Sequence, residues 1–181
     1  MRRIKMKRIH YLFLPMSMSL KALALIEQHV ANISRQHPDF PSELALFLRM
    51  MKLASWHLSK AAQALVKTWG LTYLEYSVLA ALYGSEGHAM SLAELCSTIG
   101  EPYSQVSRLV QELHGRSLVA RSHDQADRRK VMVRLDEEGV TLMETILPVI
   151  NTMAHDYLRP FAPGEMDELI RLLKKSMTSM V

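Results

Sequence analysis

Apolar positions between residues 91 and 113 recur at helical spacing in two short blocks separated by a turn. Ser91 is followed three residues later by Glu94, which is the spacing of a capping box at the start of a helix. The apolar face of this first helix is formed by Leu92, Leu95, Cys96 and Ile99. Because Gly100 follows directly, the block predicts one short helix that ends there.

The second block predicts a helix that begins after Pro102, since proline suits the first turn of a helix. Its core-facing positions are Val106, Leu109, Val110 and Leu113. Its opposite face carries Tyr103, Ser104, Ser107, Arg108 and Gln111. Hydroxyl, phenol, amide and guanidinium groups hydrogen-bond base edges and phosphates from a helix that lies in a major groove. The pattern therefore predicts a helix-turn-helix with this second helix as the recognition helix.

Two extended runs follow, residues 118–121 and 131–135, whose alternating and β-branched residues predict a β-hairpin around a polar tip. The segment from Arg116 to Arg134 contains six basic residues and two aspartates, a net charge of +4. Its candidate DNA contacts are Arg121, Arg128, Arg129 and Lys130. Such a wing can straddle the phosphate backbone and insert an arginine into the minor groove. A solvated charge run on an ordinary hairpin is the alternative, which the preceding helix-turn-helix disfavours.

Part of this segment resembles a known family. Asp127-Arg128-Arg129, then Val131, Val133 and Leu135 at alternate positions, then Gly139, are similar to the wing signature of the MarR family of transcriptional regulators. The likeness runs from about Phe40 to the C-terminus and includes Arg108 and the Leu118-Val119-x-Arg121 segment. The lead-in from His37 to Glu43 is similar to multidrug-efflux repressors of the EmrR type. The resemblance implies a DNA-binding repressor with no enzymatic activity.

Two residues depart from the family pattern. Ala126 stands where the family often has an arginine, which leaves open which wing arginine enters the minor groove. Ser117 replaces a glycine usually found at the end of the recognition helix. We therefore expect a less regular helix exit, with Gly115 supplying the left-handed residue instead.

Long helices are predicted on both sides of this module. An amphipathic helix is expected over residues 20–33, and a longer one, capped by Ser42, is expected to run to about Trp69. Further helices are expected from Glu137 to about Tyr157 and from Pro163 to Met180. The apolar stripe of the last is Met166, Leu169, Ile170, Leu173 and Met177. Helices this apolar are usually buried against a partner.

The expected fold is mainly α with a small β-hairpin wing, a winged helix-turn-helix plus a helical dimerisation region. We expect an N-terminal arm and helix over residues 1–36, a dimerisation region formed by 37–69 and 137–181, and a DNA-binding domain over 70–136. As in the family it resembles, a homodimer would present two recognition helices about 34 Å apart to a pseudo-palindromic operator on double-stranded DNA.

Charge and cysteine content bear on how the protein binds DNA and on the compartment in which it works. The chain has 181 residues and a net charge of +4, but five basic residues lie among the first ten, so residues 11–181 carry −1. DNA affinity must therefore come from the local distribution of charge. One cysteine excludes an internal disulfide, and no apolar run has transmembrane length, so we expect a cytoplasmic protein without membrane contact.

The basic leader followed by an apolar run imitates a signal peptide, but Pro15 and Lys21 oppose export. The leader is either a disordered arm or lies upstream of a start at Met16 or Met18.

A transcriptional regulator of this kind responds to an effector molecule, and the long predicted helix carries a candidate effector site. Its polar stripe is formed by Arg49, Lys52, Lys60, Gln63 and Lys67, with Trp56 in the middle. Trp56 either covers the N-terminal helix or lines an effector site beside His57 and Lys60. We expect the effector to be a small hydrophobic or aromatic acid that releases the repressor from an efflux or aromatic-catabolism operon.

Other classes of function have less support. Cys96 lies on an apolar helix face without adjacent cations, which predicts a raised pKa and a core role; a redox-sensing thiol is the alternative. The eight histidines show no zinc-ligand spacing, so no metal or other cofactor is expected; His114 and His123 are expected to face phosphate or water. The seven glycines form no nucleotide-binding or nucleophile motif, which argues against an enzyme. A winged helix that binds protein instead of DNA is the remaining alternative.

Overall fold

The computed structural model describes residues 16–123, 127 and 130–178, with the side chains of residues 16–20, 153 and 156–158 left aside. The helices are α1 (Met16–Gln36), α2 (Ser42–Val66), α3 (Tyr73–Tyr83), α4 (Leu92–Ile99), α5 (Tyr103–Gly115), α6 (Glu137–Leu158) and α7 (Glu165–Thr178). The strands are β1 (Ala89–Ser91), β2 (Val119–His123) and β3 (Val131–Leu135). This mainly helical fold with a small antiparallel sheet confirms the expected fold class. The chain divides into two compact units at Val78 and Leu79, within α3, and each unit is described by itself.

In the first unit, α1 packs along α2, and Val30 of α1 is buried. The start of α2 differs from the expectation, because Pro41 occupies the N-cap position and no side chain caps the helix. The predicted Ser42 cap is therefore wrong. Ser42 already belongs to the helix, and the fixed φ of the preceding proline, −75°, sets the entry instead.

The end of α2 is held by Gln63, which sequence reasoning had assigned to the polar stripe. Its side-chain oxygen accepts the backbone N–H of Tyr73 at 2.9 Å, and its amide nitrogen donates to the carbonyl of Leu71 at 3.4 Å. A 3-10 turn, Lys67–Trp69, and the left-handed Gly70 complete the turn. Gln63 thus satisfies backbone groups in the α2–α3 connection, a role that its place in the polar stripe did not predict.

The second unit has its core between α4, α5, the sheet and the start of α6. Its fully buried side chains include Leu79, Leu82, Leu92, Leu95, Val106, Val110, Leu113, Val119, Val133, Met143 and Ile146. The sheet has the order β1-β3-β2 with both pairs antiparallel. The predicted hairpin corresponds to β2 and β3, whereas β1 was not predicted. These packed elements present α5 at the surface.

The predicted capping box at the start of α4 is confirmed. Ser91 accepts the N–H of Glu94 at 3.2 Å, and the Glu94 carboxylate accepts the N–H of Ser91 at 2.9 Å. The Ser91 side-chain and backbone donors, together with the charge of Lys130, lower the pKa of Glu94. Gly100, with φ 77°, ends the helix as expected.

The exit of α5 differs from the expectation. Ser117 itself takes the left-handed conformation, φ 56°, while Gly115 remains within the helix. The N–H of Leu118 donates to the carbonyl of Leu113, and the N–H of Ser117 donates to that of His114. This is a Schellman ending, in which glycine usually occupies the left-handed position. The expectation that Gly115 supplies that residue is therefore wrong.

Gly139 allows the first turn of α6 to lie against the backbone that follows α5. A Cβ atom at this position would collide with the carbonyl oxygen of Leu118, which also accepts the N–H of Asp136 at 3.1 Å. A glycine is therefore required by a close backbone approach. Across the described part of the chain, no helix is both long and apolar enough to span a membrane.

Candidate nucleic-acid interface

The α5 helix has two faces of opposite character. Its apolar residues Val106, Leu109, Val110 and Leu113 are buried. On the other side, the structure exposes Tyr103, Ser104, Arg108 and Gln111, and leaves Ser107 partly exposed. Burial of one face fixes the helix on the core and leaves the polar groups together at the surface. The five side chains predicted for the recognition helix therefore lie on one accessible face.

An acidic residue that sequence reasoning did not single out also lies beside this face. Glu112 is one turn beyond Arg108, and its carboxylate lies 3.9 Å from the guanidinium. Both side chains are more than half exposed, so the pair adds little stability. The i,i+4 spacing in the sequence was the signal that could have identified it. Arg108 can exchange this partner for another hydrogen-bond acceptor at small cost.

The wing is joined to α5 by a hydrogen bond between two residues that were both predicted to contact DNA. The Arg121 guanidinium on β2 donates to the side-chain oxygen of Gln111 at 2.7 Å. Both residues are exposed. The bond couples the position of the wing strand to that of the recognition helix.

The tip of the wing is only partly described. Arg128 and Arg129 lie outside the described residues. Lys130 is exposed, and its backbone N–H donates to the carbonyl of Asp127 at 2.9 Å. Its positive charge acts on Glu94, at the start of α4, and contributes to the low pKa of that carboxylate. Lys130 at the tip of the wing therefore lies near the start of α4.

His114 is exposed and also contacts the backbone of the wing. Its Nδ1 atom lies 2.8 Å from the carbonyl oxygen of Val119, so the ring joins the last turn of α5 to the start of β2. The residue as a whole is exposed, so the expectation that it faces phosphate or water stays a prediction, with Nδ1 held by the backbone. The backbone acceptor comes within reach because the tight turn at Ser117 reverses the chain. His123 lies at the exposed end of β2.

The candidate effector residues lie on α2. Trp56 is 51% exposed, and its ring meets the His57 ring edge-on with centroids 4.8 Å apart. The Lys60 ammonium is 5.9 Å from the centre of the indole, within the range of a cation–π contact. The three side chains thus form one small aromatic and cationic cluster. Half of the indole surface is accessible to another molecule.

Two other ways of sensing a signal were considered from the sequence, a redox-sensing thiol and a bound metal ion. Partial burial raises the pKa of the Cys96 thiol, as predicted, which disfavours the reactive thiolate at neutral pH. No group of three or more histidine, cysteine or acidic side chains that could hold a metal ion occurs among the residues that the structure describes.

Comparison with known proteins gives a consistent assignment. A model of the MarR family matches residues 69–130, which include α4, α5 and the wing. The transcriptional repressor MprA of Escherichia coli K12 is 24% identical over 155 residues, 86% of this chain and 88% of MprA. The HTH-type transcriptional repressor NicR of Pseudomonas putida is 30% identical over 109 residues, 60% of this chain and 68% of NicR.

A solved structure with the same fold is that of BpsR from Bordetella bronchiseptica. The two sequences are 28% identical, and the superposition covers 71% of this chain and 96% of the BpsR chain with a TM-score of 0.62. The DNA binding of BpsR is regulated by 6-hydroxynicotinic acid. The winged helix-turn-helix, the family match and the identity to NicR lead to one conclusion: this chain belongs to the MarR family and is a DNA-binding transcriptional repressor, not an enzyme.

Proposed function

We propose that this repressor acts as a homodimer on a pseudo-palindromic operator and is released from it by a small aromatic acid. The observation that carries the proposal is the exposed polar face of α5, opposite a fully buried apolar face. Arg108 and Gln111 supply groups for base edges, and Tyr103, Ser104 and Ser107 supply hydroxyls for bases or phosphates. Arg128, Arg129 and Lys130 of the wing supply positive charge for the backbone.

The dimer is supported by apolar side chains that the single chain leaves exposed. On α2, Leu44, Leu48, Met51 and Leu58 are exposed and are spaced by four, three and seven residues, as positions of a coiled-coil seam are, with Ser55 at the position between the last two. On α7, Leu169, Ile170, Leu172 and Met177 are exposed, and the described part of the helix has no buried residue. Exposed apolar surface of this extent is typical of an interface. A second copy of residues 37–69 and 137–181 would cover it.

The aromatic-acid effector is supported by the Trp56 cluster and by BpsR, whose DNA binding responds to 6-hydroxynicotinic acid. An aromatic ring can stack on the accessible indole while its carboxylate pairs with the Lys60 ammonium. The cation–π contact already holds that ammonium beside the ring. An aromatic-catabolism operon fits this chemistry better than an efflux operon.

Fluorescence anisotropy on a labelled operator duplex tests the DNA part of the proposal. Affinity should fall steeply with salt, with a slope of about −0.9 for each phosphate contact. A flat salt dependence, or equal affinity for operator and unrelated duplex, would contradict DNA readout by this face.

The effector part is tested by indole fluorescence. 6-Hydroxynicotinic acid should quench Trp56 at the concentrations that release DNA, because the two equilibria share one coupling free energy. Trp56→Phe should bind operator normally and need a higher concentration for release, whereas Trp69→Phe serves as the matched control. Normal release from Trp56→Phe would exclude this cluster as the effector site.

A further inference from the structure

The hydrogen bond between Arg121 and Gln111 follows from the register of the sheet. Val119 on β2, the strand that packs against α5, is opposite Leu135 on β3, and both side chains are buried. Arg121 is two residues beyond Val119 and opposite the buried Val133, so its side chain shares that face. It extends past the end of the core and reaches Gln111 in the third turn of α5.

The chemistry of the pair fixes which end of the amide faces the arginine. A guanidinium carries only donors, so it can bond only the oxygen of Gln111 and not the amide nitrogen. The Arg121 Nη1 to Gln111 Oε1 distance of 2.7 Å is that of a short, charge-assisted bond. The amide NH₂ group, which carries two hydrogens, is consequently turned away from Arg121.

This orientation changes which base Gln111 suits. A glutamine that reads adenine uses both ends of its amide, accepting from N6 and donating to N7. The Gln111 oxygen has two lone pairs and Arg121 occupies one of them, so adenine N6 would have to share that oxygen with a cation, whereas the amide N–H groups can donate to the two acceptors of guanine, O6 and N7. The nearby guanidinium charge also repels the amino group of adenine and attracts the acceptor edge of guanine.

We propose that Arg121 is a positioning residue that makes Gln111 a donor and so gives the repressor a preference for guanine over adenine at one position of each half-site. This inference rests on the proposed function, because it requires α5 to lie in the major groove. It assigns to Arg121 a role that differs from a phosphate contact. A phosphate contact would add affinity evenly across sequences.

The test measures the affinity of the protein for operator duplexes that carry each of the four bases at every position. Gln111→Ala locates the position that Gln111 reads, because the preference of the wild type disappears there alone. At that position the wild type should prefer guanine over adenine by about tenfold. Arg121→Met should reverse or abolish this preference and leave the other positions unchanged.

Two further variants separate positioning from charge and from folding. Arg121→Lys keeps a donor and should retain the preference for guanine. Arg134→Met removes a wing cation on the opposite face of the sheet, where Arg134 pairs with Ala120, and should change no base preference.

The inference is overturned if Arg121→Met weakens binding evenly and keeps the preference at the Gln111 position, or if the wild type prefers adenine there. A wild type without any sequence preference would overturn the proposed function as well.

Discussion

Ser117 illustrates the cost of one residue in the left-handed region. Its φ of 56° places the Cβ atom against the following carbonyl, a conformation that costs a non-glycine residue about 1–2 kcal/mol. Ser117→Gly should therefore raise the free energy of unfolding by about 0.5–1 kcal/mol, after the greater entropy of unfolded glycine is subtracted. Urea denaturation measures the change.

The matched control is Gly115→Ala, two residues earlier. Gly115 lies within α5 without a positive φ, and an added Cβ would meet no atom within 4 Å. Alanine should stabilise this position by about 0.5–1 kcal/mol through helix propensity. If Ser117→Gly lowered stability, the left-handed assignment at the helix exit would be wrong.

At the same scale, individual side chains divide into those that the sequence could locate and those that it could not. The buried and exposed faces of α5 follow from a helical repeat, so Val106 and Arg108 were assigned correctly from spacing. The backbone partners of Gln63 and His114 were not predicted, because only the folded turn brings those carbonyls close. Hydrogen bonds across a turn depend on backbone geometry that residue type does not specify.

Helices and strands differ in the same way, because some are set by nearby residues and others by residues far along the chain. The α4 boundaries were predictable because Ser91, Glu94 and Gly100 act within one or two turns of the same helix. The β1 strand was not, because it has three residues and exists through its pairing with β3, some forty positions later along the chain. Short edge strands have too little pattern to be detected without their partner.

The capping box carries a prediction at the scale of an element. Donors from Ser91 and the charge of Lys130 lower the pKa of Glu94, so its ionised form stabilises the fold. Since the folded pKa lies below the unfolded value of about 4.3, this stabilisation is present above that pH and is lost as the pH falls through the folded pKa. Glu94→Ala should lower Tm at pH 7, and its Tm should approach that of the wild type in acid.

Glu144→Ala on α6 is the control, because Glu144 is exposed and lies in the interior of a helix. Its loss should change Tm at pH 7 by less than the loss of Glu94 does. A Glu94→Ala deficit that persisted unchanged below pH 3 would contradict the charge-dependent part of the cap.

For the whole molecule, the exposed seam on α2 predicts that association and DNA binding are linked. Leu48→Glu places a charge in the middle of that seam and should shift sedimentation from dimer to monomer at micromolar concentration. Operator affinity should fall with it, because two half-sites are no longer bound together. Arg49→Glu also introduces a negative charge, but residue 49 points about 100° away from residue 48 around the axis of α2, so this variant should remain dimeric. A dimeric Leu48→Glu would move the interface elsewhere.

Selection of bound duplexes from a random pool, with Arg108→Ala in parallel, tests whether the exposed face of α5 reads DNA sequence. The wild type should enrich a pseudo-palindrome whose half-sites are centred about 10 base pairs apart, or a multiple of that distance. Arg108→Ala should bind the enriched site more weakly by about 1–3 kcal/mol, with the loss concentrated at the bases that Arg108 reads. No enriched sequence, or an identical one with equal affinity for Arg108→Ala, would contradict DNA reading by the exposed face of α5.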